Sequence, residues 1–288
     1  MTIFEWLEKT VRKLSDTNIQ SARLDAELIL AQILNKSREW VLAHSDFELN
    51  DKILSQAQKD IERRANYEPL AYILGVKEFY GRKFIITPDI LIPRPETEQI
   101  IDVIKKITKK DPTIKKVIDI GTGSGVIAIT LALELPNVEI RATDISIKAL
   151  RVAQQNKRRF GAKVKFTFAN LFSLPQFRKY HTPTPLPRYN IIVANLPYVD
   201  RKWDWLDHKS LRFEPRKALF ARDRGLRLIK KLIKQAPDHL YSGGYLILEM
   251  DPCQIESIKQ FAAQYNFVTY AEDSFILTLQ KIGEPNQI

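Results

Sequence analysis

The stretch Val117-Ile118-Asp119-Ile120-Gly121-Thr122-Gly123-Ser124-Gly125 decides the fold. An apolar run ends in a glycine-rich turn, and an apolar-periodic segment follows as far as Leu135, so a buried strand is predicted to pass directly into a helix. Glycine lets the chain turn tightly and lets backbone amides approach a ligand that a Cβ would block. Gly121 and Gly123 are the expected contact points, with Thr122, Ser124 and Gly125 completing the turn.

Downstream, strand and helix signals alternate. Strand Val138 to Thr143, helix Ile147 to Phe160, strand Val164 to Phe168 and strand Tyr189 to Ala194 precede a helix in which Leu226, Ile229, Ile233 and Ala236 line one face. Alternation of this kind predicts an α/β protein with a parallel sheet and crossover helices. Strand Tyr245 to Met250, helix Gln254 to Tyr265 and the pair Phe267 to Ala271 and Phe275 to Leu279 finish it. Asp273-Ser274 is short enough to make that last pair an antiparallel hairpin. The proline-rich stretch Pro175 to Pro187 has no periodicity and is expected to be an exposed, mobile loop.

Upstream, residues 1–66 are predicted to form a small helical bundle. Its stripes are Phe4, Leu7, Val11 and Leu14, then Leu24, Leu28, Ala31 and Leu34, with Ser37 and Asn50 as N-caps. Residues 67–95 are expected to be an extended linker, with a hairpin about Gly81-Arg82 and stiffening by Pro88, Pro93 and Pro95. Residues 96–288 are then the catalytic domain.

Composition bounds the function. In 288 residues, 44% hydrophobic and 27% charged content supplies a real core and excludes a disordered chain. No apolar run approaches the roughly 20 residues of a membrane helix, and Met1 to Glu8 lacks a secretion signal, so a cytoplasmic protein without membrane contact is expected. Cys253, the single cysteine, is expected to be an inert, half-buried thiol. The +11 charge favours an acidic partner and is compatible with nucleic acid without requiring it. Lys105, Lys106, Lys109 and Lys110 are expected to be a solvated helix end. The four histidines show no metal-ligand spacing, and no metal is expected.

Asp144 ends the strand after the glycine turn, 23 positions beyond Gly121, where a carboxylate can accept from both ribose hydroxyls of a nucleoside. The turn reads G-x-G-x-G, not the G-x-G-x-x-G of dinucleotide enzymes, and the Gly-Lys-Ser/Thr of a P-loop is absent. This favours S-adenosylmethionine over NAD or ATP. The turn and acid resemble those of class I methyltransferases, a likeness that implies a Rossmann-like seven-stranded mixed sheet and S-adenosylhomocysteine as product. It also implies adenine recognition at Asn170, where relatives often have Asp, and apolar contact from Leu171.

Asn195-Leu196-Pro197-Tyr198 follows the strand Tyr189 to Ala194 and resembles the Asn-Pro-Pro-Tyr of methyltransferases acting on planar nitrogens. An amide nitrogen is a poor nucleophile because its lone pair is delocalised, so acceptors must hold its N–H groups and aim it. The Asn195 oxygen and the Leu196 carbonyl suit that task, Pro197 stiffens them, and Tyr198 can pack against the flat group. Asn-Leu-Pro-Tyr is also the spelling of ribosomal-RNA adenine dimethyltransferases, so the tetrapeptide leaves adenine in RNA or DNA open as an alternative.

A longer signature favours one target. Glu68-Pro69-Leu70-Ala71-Tyr72-Ile73-Leu74-Gly75, Phe79-Tyr80-Gly81 and Ile92-Pro93-Arg94-Pro95-Glu96-Thr97-Glu98 resemble the release-factor glutamine methyltransferases of the HemK type. So do Arg212-Phe213-Glu214-Pro215 and Gly243-Gly244-Tyr245-Leu246, so the likeness spans nearly the whole chain. It differs at Glu249-Met250-Asp251, where relatives tend to have Glu-His-Gly. The resemblance implies methylation of the glutamine in the Gly-Gly-Gln loop of a class I peptide chain release factor gripped by the helical bundle; a monomer is expected. Arg94 and Glu96 are expected to brace the linker, and Phe84 to wall the amide pocket or pack in the core.

Overall fold

The computed structural model describes residues 1–173, 187–204 and 206–283. They fall into two compact units, Met1–Lys77 with Asp207–Phe213, and Glu78–Leu206 with Glu214–Ile288. Residues 67–95 are thus divided between the units. The proline-rich stretch lies, apart from Pro187, outside the described residues.

The first unit is built on α1 (Ile3–Asp16), α2 (Ala22–Leu34), α3 (Arg38–Ala43), α4 (Asp51–Ala65) and α5 (Leu70–Leu74). Ser37 and Asn50 cap as predicted, accepting from Trp40 N at 3.2 Å and Ile53 N at 3.0 Å. The predicted stripes hold in part, with Leu7, Leu14 and Ala31 buried, but the inner face of α2 is set differently. Phe4 and Leu24 are exposed, whereas Ile3, Trp6, Leu7 and Leu14 of α1 and Ala22, Ala26, Ile29 and Leu30 of α2 are buried. The reason is that α2 buries two carboxylates within its inner face. Glu27 lies between Arg23 (3.0 Å) and Arg38 (2.7 Å), and Asp25 is held by Arg64 at 2.6 Å. Apolar periodicity cannot register a buried ion pair. The segment Asp207–Phe213 joins this unit through Lys209 Nζ, which donates to the Tyr67 hydroxyl, and Arg212, which donates to Asn66 O.

Next come β1 (Val76–Phe79) and β2 (Arg82–Ile85), a two-stranded hairpin. Its turn, Tyr80-Gly81, has positive φ at both residues (50° and 69°), as a tight right-twisted hairpin needs. A single-turn helix, Pro95–Thr97, then leads into α6 (Glu98–Lys110).

The second unit continues with β3 (Lys116–Ile120), α7 (Val126–Glu134), β4 (Glu139–Asp144), α8 (Ile147–Phe160), β5 (Val164–Phe168) and β6 (Tyr189–Ala194). After α9 (His208–Leu211), which belongs to the first unit, come α10 (Arg216–Leu219), α11 (Arg227–His239), β7 (Leu240–Glu249), α12 (Pro252–Ala263), β8 (Phe267–Asp273) and β9 (Ile276–Lys281). The short α9 and α10 carry no periodic signal and are not foreseen from sequence.

The sheet order is β5-β4-β3-β6-β7-β9-β8. All pairings from β5 to β7 are parallel, and β9 runs antiparallel to both β7 and β8. This is the expected Rossmann-like mixed sheet closed by an antiparallel hairpin. Winding reverses between β3 and β6, and open α/β sheets bind ligands at the carboxyl edge beside such a switch point. The register pairs Val117 with Ile191 and Asp119 with Val193, so the chain leaves both strands side by side, at Gly121 and at Asn195.

Asn156, fully buried on α8, ties the glycine turn to the hairpin. Its oxygen accepts from Ile85 N at 2.7 Å, and its NH2 donates to Ile85 O and Ser124 O. Lys105 is not simply a solvated helix end. It donates to Glu134 at 2.6 Å, and Arg82 reaches the same carboxylate at 2.7 Å; these two cations hold Glu134 below its usual carboxylate range.

Candidate active site

A cavity of about 630 Å³ opens at the carboxyl edge of the sheet. That size suits a nucleoside-sized ligand. Its wall takes in Ile120 to Ser124, Val126, Asp144 to Ser146, Ala169 to Leu171 and Asn195 to Pro197. The sequence-derived cofactor residues Gly121, Thr122, Gly123, Ser124, Asp144, Asn170 and Leu171 therefore meet on one surface. Gly125 stands just behind it as the N-cap of α7.

Each position has a local cause. Asp144 ends β4, and its two oxygens accept from Gly123 N at 2.8 Å and Ser146 N at 2.7 Å. The carboxylate keeps lone-pair capacity for a ligand hydroxyl. Burial raises the Asp144 pKa, and the amides of Ser146, Gly123 and Ile145 oppose that rise. Thr122 donates its hydroxyl to Asp119 at 2.6 Å, anchoring the turn to the strand it leaves. Burial pushes Asp119 up to about 7. Gly121 is required by proximity: a Cβ there would stand 2.8 Å from Leu196 Cδ2, so the glycine turn and the Asn-Leu-Pro-Tyr loop touch only because position 121 carries no side chain. A carboxylate with free lone pairs, an apolar floor from Ile127, Ile145 and Leu171, and amide groups at both ends fit an adenosine-bearing cofactor.

At the other end, Asn195 Nδ2 donates to Thr97 Oγ1 at 3.2 Å. The Tyr198 hydroxyl turns away from the cavity wall and donates to Glu249 Oε1 at 3.4 Å. Burial, reinforced by the neighbouring Glu249, raises the Tyr198 pKa, so the phenol stays protonated. Behind the loop, Gln254 Nε2 donates to Tyr198 O and Arg224 O, both at 2.8 Å, while its oxygen accepts from Asp251 N at 3.2 Å. Three successive left-handed residues, Asp223, Arg224 and Gly225, make the turn that reaches this clamp.

Arg94 donates to Glu214 at 2.6 Å, and Ile92 N donates to the other Glu214 oxygen at 3.1 Å. That pair fixes the proline-rich wall of the cavity. Phe84 does not line the cavity; it is fully buried against Phe79 and Phe160, with ring centroids 6.1 and 4.8 Å away. Cys253 is exposed, not half-buried, and desolvation followed by Asp251 pushes its thiol up to about 11, which keeps it unreactive. Among the described residues no group of side chains could hold a metal, and no helix is long and apolar enough to cross a membrane.

Sequence reading gives no site role to Thr97, Glu214, Gly225, Glu249 or Gln254. Glu249 leaves a signal like that of Asp144: an acid closing the apolar run Leu246-Ile247-Leu248 at the ligand edge of the sheet.

Comparison with known proteins places the chain. A PrmC N-terminal domain model matches residues 5–75, and a methyltransferase small domain model matches residues 99–204. The release factor glutamine methyltransferase of Neisseria gonorrhoeae is 38% identical over 268 residues, 93% of this chain and 91% of that protein. The chain belongs to the release factor glutamine methyltransferase family. A second member, from Coxiella burnetii, is 39% identical over 254 residues, covering 87% of this chain and 86% of its own length. As a member of this family, the chain is a methyltransferase. The catalytic domain of hMettl16 shares the fold, with a TM-score of 0.52 at 16% identity over 82% of this chain and 84% of that one.

Proposed function

We propose that this member of the family transfers the methyl group of S-adenosylmethionine to the side-chain amide nitrogen of the glutamine in the Gly-Gly-Gln loop of a class I release factor. One observation carries the reading: Gly121 to Ser124, Asp144 and Asn195 to Pro197 line a single cavity, so a cofactor bound by the first two groups lies beside the third. The names borne by relatives that match nearly the full chain support the same substrate.

In this reading Asp144 takes the ribose hydroxyls, and the glycine-turn amides take the polar end of the cofactor. Asn170 accepts from the adenine amine while Leu171 packs beneath the ring. When bound, the cofactor supplies a sulfonium methyl, an electrophile that needs no metal. The chain's own residues orient and exclude. With its NH2 end engaged by Thr97, Asn195 has its oxygen free to accept one N–H of the substrate amide. The Leu196 carbonyl accepts the other, and Pro197 limits the rotation of both. Tyr198 stiffens the loop from behind. Held this way, the nitrogen gives up conjugation and points its lone pair at the methyl carbon; as the C–N bond forms, the S–CH3 bond would break with its electron pair going to sulfur, S-adenosylhomocysteine would leave, and one amide proton would pass to water. Orientation of reacting groups contributes on the order of 7 to 11 kcal/mol in well-aligned systems.

The helical unit is the proposed grip on the release factor, because a short loop cannot supply the roughly 800 Å² per partner of a stable interface. On that unit Phe4 (60% exposed) and Phe47 (42% exposed) adjoin, since Ile3 N and Phe4 N donate to Phe47 O and Ser45 O.

The test incubates the protein and labelled cofactor with a purified release factor. Label is expected in the Gly-Gly-Gln peptide and absent when that glutamine is alanine. Label appearing instead in added RNA would overturn the reading in favour of adenine.

A further inference from the structure

Beneath the Asn-Leu-Pro-Tyr loop lies a carboxylate that the transfer, as described, does not use. Glu249 closes β7, is 1% exposed, and belongs to no ion pair among the described residues. The groups that face it come from two elements. From the loop after β6 come the Tyr198 hydroxyl, at 3.4 Å from Oε1, and the Asn195 amide. From the single-turn helix come the Thr97 hydroxyl and the Glu96 carboxylate, a second charge that acts on it. Arg94 and Asp251 act on Tyr198 behind them. On the other flank β9 pairs its Ile276 with Glu249.

A primary amide is nearly symmetric in shape, and either end of Asn195 could turn toward the cavity. What decides is the hydrogen-bonding character of the groups behind it. An ionised carboxylate only accepts, so the end it draws is NH2. A protonated acid also donates, and would draw the oxygen instead. Thr97 relays the same polarity, because its hydroxyl accepts from Asn195 and faces Glu249 as a donor. Glu249 Oε2 has no partner within hydrogen-bond distance, so the carboxylate has capacity to spare for these donors.

Resting on the transfer proposed above, we infer that Glu249 is a positioning residue: its ionised carboxylate holds the NH2 end of Asn195 through Thr97, and so presents the amide oxygen to the substrate. Burial raises its pKa to about 7, with Glu96 adding to the rise and Thr97, Tyr198 and Asn195 opposing it. The switch from acceptor to donor therefore falls in the working range of pH.

Two measurements test this. The side-chain NH2 resonances of Asn195, assigned by their loss in Asn195→Ala, should titrate in the wild-type protein with a midpoint of about 7 and stay flat in Glu249→Gln. In the release-factor assay, wild-type turnover should fall about tenfold for each pH unit below that midpoint. Glu249→Gln should bind cofactor within about twofold of wild type, lose roughly tenfold or more in kcat and lack the acid limb, while Glu249→Asp restores part of both. An Asn195 resonance indifferent to pH, or a Glu249→Gln variant with wild-type kcat and acid limb, overturns the inference. If Glu249→Gln does not fold, the wild-type titration decides alone. A wild-type protein that titrates as described but labels no release factor keeps Glu249 in this role and rejects glutamine as the substrate.

Discussion

Replacing Gly225 by alanine should damage the active site from behind without touching the cavity. Gly225 is buried at φ +85°, and a Cβ there would stand 1.8 Å from Tyr198 O and 2.6 Å from Gln254 Nε2. Relief requires moving a backbone carbonyl by more than an ångström, and that carbonyl belongs to the last residue of the Asn-Leu-Pro-Tyr loop. Holding alanine left-handed costs about 1–2 kcal/mol, overpacking about 1–3 kcal/mol, and losing the buried Gln254 bond about 1–3 kcal/mol. The sum, roughly 3–8 kcal/mol if nothing yields, is large against a typical stability of about 5–15 kcal/mol. The loop will therefore yield, and a displacement near 1 Å at a reacting centre costs about a hundredfold in rate. Urea unfolding, cofactor calorimetry and single-turnover methyl transfer on one preparation separate the effects. The expected pattern is a lower midpoint at unchanged slope, cofactor affinity within a few-fold of wild type, and turnover down by about two orders of magnitude. Gln254→Ala, which removes the clamp without adding an atom, should show a weaker form of the same pattern. A Gly225→Ala protein with wild-type turnover would refute the claim that Tyr198 is held from behind.

Other outcomes follow from the buried acids. Asp144→Ala removes the acceptor of two amides and of the proposed ribose contact; at about 1.5–3 kcal/mol for a charge-assisted bond, cofactor Kd should rise roughly 10- to 150-fold by calorimetry, and a change under threefold would count against the assignment. Asp119 and Glu249 are both raised to about 7 by burial, so the folded chain keeps protons that the unfolded chain releases. The stability these two groups contribute should be complete below about pH 4, fall by several kcal/mol as pH rises to about 7, at up to 1.36 kcal/mol per unit and group, and be gone above about pH 7.5. Urea midpoints that rise over this window contradict it, and Glu249→Gln should flatten part of the slope.

The parts of the molecule that read clearly from sequence are those whose determinants are local. The passage from β3 through the glycine turn into α7 is visible because strand, turn and helix signals follow within one segment, and Asp144 is visible because it ends the next strand. Asn195 to Tyr198 stand out for the same reason. The supporting residues are hidden because their partners are remote: Thr97 meets Asn195, Glu214 meets Ile92 and Arg94, and Gln254 meets Tyr198 across long sequence separations. Hydrophobic periodicity reports burial but not which buried acid finds a donor. That is why it mis-set the stripe of α2, where Asp25 and Glu27 lie inside, and why Phe84 could be imagined in a pocket when it packs between Phe79 and Phe160.

Measuring cofactor affinity and methyl-transfer rate side by side for Asn195→Ala tests the central claim most directly. If Asn195 acts by orienting the amide nitrogen, calorimetry will find S-adenosylmethionine bound nearly as in the wild type while labelled methyl ceases to reach the release-factor glutamine. Transfer that persists near the wild-type rate, or cofactor binding that vanishes together with it, would contradict the account.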